Sequence, residues 1–226
     1  MGRIRLTFGP VAGPLRVWVV FCLVLLAAIA TTAFVAGVDT DSDEANLLAR
    51  IQDSPLPGTF VSNLVREITT TEADIVVGVA LALLLWVTGS RRHAIAFCVL
   101  LIALPLVQHE LKVLVDRDRP PYNPDDLWSQ PSSLSFPSGH VMSATVVYGW
   151  LAYCALSQPW PGPARWAAGI VAATALLMTS LSSVYLAVHW PTDVVGGYFW
   201  GLTLLLPATA LADSRTVPLR TGHSRK

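Results

Sequence analysis

The sequence predicts an all-α, polytopic membrane protein built as a bundle of six transmembrane helices. Hydrophobic residues make up 53% of the 226-residue chain and charged residues only 13%, whereas a soluble domain carries about 25% charged residues. Six apolar runs contain no Asp, Glu, Lys or Arg, and a helix of about 20 such residues crosses the bilayer core. The runs cover residues 17–38, 75–90, 94–109, 141–164, 166–188 and 194–212. A soluble core would need each helix to be apolar on every side, so we favour the membrane.

The chain divides into three parts. Residues 1–16 form a basic lead, residues 17–212 form one membrane domain, and residues 213–226 form a polar tail that we expect to be disordered and cytoplasmic. The first apolar run could instead belong to a cleaved signal peptide, because Arg3 and Arg5 precede it and small residues lie near its end. Its apolar part is longer than that of a usual signal peptide, so we favour an uncleaved helix.

A long loop at residues 39–73 connects the first and second predicted helices. It has a helical pattern at residues 45–51, which is broken at Pro55 and Pro57. We interpret the segment as a solvated loop that lies along the membrane interface. A lid that guides a lipid substrate is the alternative, and the sequence leaves both open.

The distribution of Lys and Arg predicts the orientation of the bundle. If six helices alternate, one side receives both termini and the two short basic loops, which together hold Arg3, Arg5, Arg16, Arg91, Arg92, Arg165, Arg215, Arg220, Arg225 and Lys226. The other side receives the acidic loop at residues 39–73. The positive-inside rule therefore places both termini in the cytoplasm. Polar stretches at residues 112–140 and 189–193 then face outward, and the compact domain with short loops fits a bacterial plasma membrane.

The third predicted helix ends in a polar stretch with two cations. Lys112 and Arg119 are seven residues apart, so they share one helical face if the helix extends that far. Pro120 disfavours the α conformation at Arg119 and should end the helix there. Two cations at one rim could clamp a phosphate. The alternative is ordinary anchoring at the membrane interface.

Residues 135–140, with the sequence Ser-Phe-Pro-Ser-Gly-His, should open the fourth helix. Pro137 is tolerated at a helix start, because its missing N–H would have no intrahelical partner there. Gly139 lets the backbone approach a ligand closely. The free N–H groups of a helix start form an anion site, and His140 adds a proton donor that works near neutral pH.

The segment from His189 to Asp193 opens the sixth helix. Pro191 suits the first helical position, which puts Asp193 in the first turn. Its carboxylate could reach back toward His189, as in a capping box. A carboxylate in this place fixes the tautomer of the imidazole and leaves the other nitrogen basic. The alternative is a capping Asp beside an interfacial His.

Together the three clusters resemble the type 2 phosphatidic acid phosphatase (PAP2) superfamily, which includes membrane lipid phosphatases. The first family motif is a Lys, six residues and Arg-Pro, which Lys112 and Arg119-Pro120 match. The second is complete at Pro137-Ser138-Gly139-His140. The third is Ser-Arg, five residues, His, three residues and Asp. Ser182, His189 and Asp193 match it, but Ser183 stands where the family has Arg.

The resemblance implies a role for each matched residue. His189 would attack phosphorus and form a phosphohistidine, Asp193 would orient it, and His140 would act as general acid and then base. The phosphoryl oxygens would be bound by Lys112, Arg119, Ser138 and Gly139, with Ser182, Ser183 and Arg117 as further candidates. Neither a cofactor nor a metal site is expected.

The leading hypothesis is a phosphatase acting on a lipid phosphate or diphosphate at the outer membrane face. Candidate substrates are a polyprenyl diphosphate, phosphatidate and phosphatidylglycerol phosphate. Because Ser183 replaces the family's Arg, a non-catalytic lipid-binding or lipid-moving protein is an alternative, and a phosphotransferase to another lipid is a third. Arg117 is the nearest candidate to supply the missing charge. The zero net charge predicts no nucleic-acid partner, and nothing in the sequence indicates a particular oligomeric state.

Overall fold

A computed structural model describes residues 14–37, 42–120 and 134–213. This part of the chain forms eight α-helices and no strand. The helices are α1 (Pro14–Gly37), α2 (Ser42–Gln52), α3 (Thr59–Ile68), α4 (Thr71–Val87), α5 (Arg91–Val115), α6 (Gly139–Ser157), α7 (Gly162–Tyr185) and α8 (Pro191–Asp213). Most of the predicted basic lead and nearly all of the predicted tail lie outside the described residues.

The six long helices correspond to the six predicted apolar runs. Their bounds differ from the predicted bounds where capping residues or prolines decide the ends. Thr70 caps α4, because its hydroxyl accepts a hydrogen bond from the backbone N–H of Ala73 at 3.1 Å. The helix of the fourth run ends at Ser157, as the proline-rich turn at residues 158–163 indicates, and Gln158 is extended.

The described helices have the length and composition of a multi-pass membrane protein. Four of them, α1, α5, α7 and α8, are each long and apolar enough to cross a bilayer. The pair α3 and α4, bent by 51° at a short break, satisfies the same criterion when taken together. Helix α6 does not satisfy it alone, but more than half of its residues are buried inside the bundle. The all-α bundle predicted from the sequence is therefore confirmed.

The hydrophobic core lies along α6. Its Met142, Val146 and Trp150 are fully buried and pack against residues of α4, α5 and α8. The rings of Trp150 and Phe97 stack with centroids 5.0 Å apart and planes 1° apart. Since α6 is held on several sides, the residues at its N-terminus have a fixed position.

Glycines on α8 allow the start of α6 to approach closely. A β-carbon at Gly196 would lie 2.3 Å from the Phe136 ring, and one at Gly201 would lie 2.7 Å from the Thr145 side chain. Small residues spaced in this way let transmembrane helices pack at short range. The segment before α6 is thereby brought against the first turn of α8.

The two ends of the bundle have different chemistry. At one end the α4–α5 and α6–α7 turns meet, where the hydroxyl of Ser90 donates to Oε1 of Gln158 at 2.8 Å. Arg91, Arg92 and Arg165 belong to this end. At the other end lie the C-termini of α5 and α7 and the N-termini of α6 and α8, as the alternating helices predict.

The segment between α1 and α4 is more ordered than a solvated loop, and in this respect the sequence interpretation was wrong. Helix α2 packs on α7 and α8, and α3 packs on α7. Leu48 of α2 is buried in a small cluster with Trp190 and Val194. The helical pattern noted at residues 45–51 corresponds to α2, whereas α3 and the packing of both helices on the bundle were not predicted.

Candidate active site

The motif residues meet at the end of the bundle opposite the Arg-rich turns. Each of the predicted clusters follows or opens a helix, so packing of α5, α6, α7 and α8 brings them together. The residues concerned are Lys112, Arg117, Arg119, Ser138, Gly139, His140, Ser182, Ser183, His189 and Asp193.

The C-terminus of α5 differs from the prediction. The helix ends at Val115 and Asp116 adopts a left-handed conformation with φ 49°, so Arg119 does not share a helical face with Lys112. Asp tolerates this conformation better than most residues because its short side chain can bond locally. Pro120 therefore does not end the helix, which stops four residues before Arg119. The irregular segment nevertheless carries both Arg117 and Arg119 to the site.

His189 and Asp193 form the centre of the site. His189 is 1% exposed and Asp193 is fully buried. Nδ1 of His189 lies 3.4 Å from Oδ2 of Asp193. This distance is longer than an ordinary hydrogen bond, so the carboxylate faces Nδ1, which has no hydrogen-bond partner among the described residues. The backbone N–H of His189 donates to the Ser183 carbonyl at 3.2 Å.

Three further groups fix the Asp193 carboxylate. Oδ2 accepts hydrogen bonds from the backbone N–H of Trp190, at 2.8 Å, and from the hydroxyl of Ser135. Oδ1 accepts from Nη1 of Arg117 at 2.6 Å. The bond to the Trp190 N–H is a return contact like that of a capping box, and the carboxylate also faces His189, as expected from the sequence. A carboxylate held from three directions offers a fixed partner to His189.

The environment of His189 keeps its imidazole neutral. Burial lowers the pKa of His189 to about 4, and the Asp193 carboxylate only partly opposes this effect. At neutral pH the ring therefore has a free lone pair. With Nδ1 turned toward Asp193, Nε2 is the nitrogen available to a substrate.

One cation lies beside this nitrogen, and the charge of a second acts on the same ring. Arg119 donates from Nη1 to the Val188 carbonyl at 2.6 Å, and the same Nη1 lies 3.5 Å from Nε2 of His189. Lys112 donates from Nζ to the Leu134 carbonyl. Burial, followed by the charge of Arg66, lowers the pKa of Arg119 to about 10, so the guanidinium remains charged at neutral pH.

The start of α6 closes another side of the site. Ser138 is fully buried, its backbone N–H donates to the Asp193 carbonyl at 3.0 Å, and its hydroxyl has no hydrogen-bond partner among the described residues. Gln108 fixes the turn by donating from Nε2 to the Gly139 carbonyl at 3.0 Å. The charges of Lys112 and Arg119 act on His140, which is half-buried. The first-turn N–H groups of α6 add the anion-binding property of a helix start.

Ser183, which replaces the family's Arg, is committed to its own helix. Its hydroxyl donates to the Thr179 carbonyl at 2.7 Å, and its carbonyl accepts from the N–H groups of Val188 and His189. The serine thus holds the segment that carries His189. The neighbouring Ser182 is buried, and its hydroxyl has no hydrogen-bond partner within the described part of the chain.

Arg117 is held by carboxylates. Nη1 bonds Asp193, and Nη2 lies 2.7 Å from Oε2 of Glu44 on α2. Nη1 also donates to the Thr192 hydroxyl at 2.7 Å, and the guanidinium lies 5.4 Å from the centroid of the Trp190 ring. This geometry favours a role in positioning Asp193 over direct contact with a phosphate.

Sequence reasoning missed two residues of the site, Glu44 and Ser135. Oε1 of Glu44 accepts hydrogen bonds from the N–H and the hydroxyl of Thr192, at 2.8 and 2.6 Å. Glu44 is one of many acidic residues in its segment, so no sequence signal distinguished it. Ser135 lies two residues before the recognised Pro-Ser-Gly-His stretch, and its place at the start of that short segment was the signal available.

The chemistry available here is nucleophilic attack on phosphorus supported by cations. A neutral imidazole, an orienting carboxylate, a second histidine and at least two cations converge. Among the described residues, no group of three or more His, Cys, Asp or Glu side chains is arranged to hold a metal ion.

Comparisons with known proteins show a family and relatives that the chain resembles. The sequence profile of the PAP2 superfamily matches residues 93–216, which is more than half of the chain. A phosphatidylglycerophosphatase B of Bacillus subtilis (strain 168) is 38% identical over 100 residues, covering 44% of this chain and 48% of that protein. An undecaprenyl-diphosphatase of Sulfolobus acidocaldarius is 35% identical over 72 residues, covering 32% and 31%. The chain therefore spans less than half the length of these curated relatives.

A solved structure has the same fold. The crystal structure of a transmembrane PAP2-type phosphatidylglycerolphosphate phosphatase from Bacillus subtilis superposes with a TM-score of 0.63. The match covers 86% of this chain and 93% of that one, at 22% sequence identity. At this identity the likeness establishes the arrangement of the helices.

Proposed function

Because the chain belongs to the PAP2 superfamily, we propose that it is an integral-membrane phosphatase that hydrolyses a lipid phosphate or diphosphate. The observation that carries the proposal is the buried His189 oriented by Asp193, with Arg119 3.5 Å from its Nε2. The names of the two sequence relatives, a phosphatidylglycerophosphatase and an undecaprenyl-diphosphatase, support the lipid phosphate class.

In the first step, Nε2 of His189 attacks phosphorus while the bond from phosphorus to the leaving oxygen breaks. His140 gives its proton to that oxygen, and the product is a phosphohistidine plus the dephosphorylated lipid. In the second step, water attacks phosphorus, His140 takes a proton from the water, and the P–N bond breaks. Phosphate leaves and His189 returns to its neutral form.

Cations and backbone groups stabilise the charge that develops on the phosphoryl oxygens. Lys112 and Arg119 supply the cations. The backbone around Ser138 and Gly139, at the start of α6, supplies the neutral donors. These donors are preorganised, because Lys112 and Arg119 are already bonded to backbone carbonyls. Loss of one preorganised donor typically costs about 10²–10³ in rate.

The substrate headgroup would enter from the outer face of the membrane. Arg91, Arg92 and Arg165 belong to the opposite end of the bundle, and such residues favour the cytoplasmic side. The apolar surfaces of the long helices suit a lipid tail beside them. Polyprenyl diphosphate, phosphatidate and phosphatidylglycerol phosphate are the candidate substrates.

A binding protein without catalysis is the second candidate. It is favoured by Ser183, whose hydroxyl bonds Thr179 and is therefore turned to its own helix. A protein of this kind would bind the lipid phosphates and release no phosphate from any of them.

The test is phosphate release by purified protein in detergent from a panel of the three candidate lipids. Wild type should release phosphate from at least one of these lipids. Release should continue in EDTA, because cationic side chains and backbone amides stabilise the charge on the phosphoryl oxygens. His189→Ala should abolish release, whereas His109→Ala, which changes an exposed histidine of α5, should not. Binding without release in the wild type would establish the second candidate, and full release by His189→Ala would overturn the mechanism.

A further inference from the structure

Position 183 leaves the site without one arginine. No Lys or Arg occurs between Arg165 and Arg215, so a small shift of register within the third motif cannot restore it. Ser183 offers no replacement, since its hydroxyl donates to the Thr179 carbonyl. If the site binds a phosphoryl group as its relatives' names indicate, a cation from another element could take the place of the missing arginine.

Helix α3 lies where such a cation could come from. It packs on α7, the helix that carries Ser183. The corner between α3 and α4 is tied to the start of α6, because the hydroxyl of Ser143 donates to Oγ1 of Thr71 at 3.0 Å. A β-carbon at Gly139 would lie 3.8 Å from the same Oγ1. The corner therefore borders the turn that carries Ser138, Gly139 and His140.

One face of α3 points into the bundle at this corner. Ser62 and Thr69 are 0% and 4% exposed, whereas Leu64 and Ile68 on other faces are exposed. Arg66 follows Ser62 by four residues and precedes Thr69 by three, so it shares their inward face. Its side chain is half-buried, and the hydroxyl of Ser62 has no hydrogen-bond partner among the described residues.

The charge of Arg66 reaches the reacting groups. It acts on His140 together with Lys112 and Arg119, and it also acts on Arg119 directly. Three cations whose charges act on the same histidine also repel one another, and an anion bound among them would offset that repulsion. A phosphoryl group is the anion that the motifs around it already indicate.

We propose that Arg66 is a phosphoryl-binding residue of this site and takes the place of the arginine missing at position 183. A guanidinium presents paired donors in a plane that matches two oxygens of one phosphoryl group. Helix α3 is then part of the active site and carries one of its substrate contacts. This inference rests on the proposed phosphatase function and adds a residue from outside the family's motifs.

The first test compares variants of two arginines, Arg66 of α3 and Arg50 of α2. Arg66→Ala should lower phosphate release by about 10²–10³, as for the loss of one preorganised donor. Arg50→Ala, which removes an exposed arginine of α2, should leave it unchanged. Orthovanadate, which mimics the phosphoryl group, should inhibit wild type and Arg50→Ala at the same concentration and Arg66→Lys only at a higher one.

The second test is rescue. Ser183→Arg combined with Arg66→Ala should recover part of the lost activity, because the guanidinium then comes from α7. A folded double variant that stays at the level of Arg66→Ala would overturn the equivalence of the two positions.

Failure of this inference is distinguishable from failure of the proposed function. If wild type is active and His189→Ala is inactive, but Arg66→Ala and Arg66→Lys match wild type in turnover and vanadate inhibition, Arg66 has no role and the phosphatase stands. If wild type neither releases phosphate from any lipid nor binds vanadate, both proposals fall.

Discussion

At the scale of single residues, the orientation of His189 depends on a chain of charges that ends at Glu44. His189 faces Asp193, Asp193 bonds Arg117, and Arg117 bonds Glu44. Removing Arg117 would leave the two carboxylates without their shared cation, and Asp193 is fully buried. A buried charge that loses its partner destabilises its surroundings strongly.

We therefore expect Arg117→Ala to lower kcat more than it raises KM, because Asp193 would no longer hold His189 in place. Arg117→Lys should recover part of kcat, since the ammonium keeps the charge near Asp193. Steady-state kinetics on the best lipid substrate measure both constants. A variant whose KM alone rises would instead identify Arg117 as a direct phosphate ligand.

The sequence could predict the placement of His189, Asp193 and the Pro-Ser-Gly-His turn at helix starts, because each lies within a few residues of a helix end. The contacts of Asp193 with Trp190 and His189 are also local in the chain. Glu44 and Arg117 are 73 residues apart, and no periodicity or spacing connects them. Only the packing of α2 on α7 and α8 brings the two together.

At the scale of elements, the close contact between α8 and the segment before α6 places the anion-binding turn. Gly196 faces the buried Phe136 ring, and a β-carbon there would lie 2.3 Å from it. The first turn of α8 also supplies the Asp193 carbonyl that accepts from Ser138. The spacing between α8 and the segment before α6 therefore sets the distance from Ser138 to His189.

Gly196→Ala should separate the two elements and lower both stability and activity. Overpacking of this kind costs about 1–3 kcal/mol, which a thermal unfolding curve in detergent can detect. The matched control is Gly169→Ala on α7, where an added β-carbon meets nothing within 4 Å. Equal melting temperatures for the two variants would show that the α8 contact has no such importance.

The end of α5 shows what a local pattern cannot decide. Pro120 is a valid terminator, yet the helix stops at Val115 because Asp116 takes a left-handed conformation. The Ser135 N–H donates to the Arg117 carbonyl at 2.8 Å, and the Trp190 indole donates to the Asp118 carbonyl at 3.0 Å. These bonds come from distant parts of the chain and hold the segment after Val115 in an irregular conformation. Local helix propensity contains no information on them, so a prediction from propensity alone continues the helix.

At the scale of the whole molecule, composition predicted the bundle because a helix that crosses the bilayer needs about 20 predominantly apolar residues. The outer surfaces of α1, α5 and α7 carry exposed large apolar side chains, as this requirement demands. The site gathers at one end because its residues follow helix ends that alternation places on the same side. Orientation in the membrane rests on the Arg-rich turns at the opposite end.

Cysteine labelling tests that orientation in a background in which Cys22, Cys98 and Cys154 are replaced by Ala. Glu67→Cys, at an exposed position of α3, should react with a membrane-impermeant maleimide on intact cells. Ala164→Cys, exposed near the start of α7, should react only after the membrane is opened. The reverse pattern would place the site in the cytoplasm.

The most direct measurement of the central claim is the capture of phosphate on His189. Wild type would be mixed with a lipid labelled with ³²P in its phosphate, quenched within the first turnover and digested for mass spectrometry. The account predicts an acid-labile, base-stable label on His189, present in His109→Ala and absent from His189→Ala. A turning-over enzyme without label on His189, together with undiminished release by His189→Ala, would contradict it.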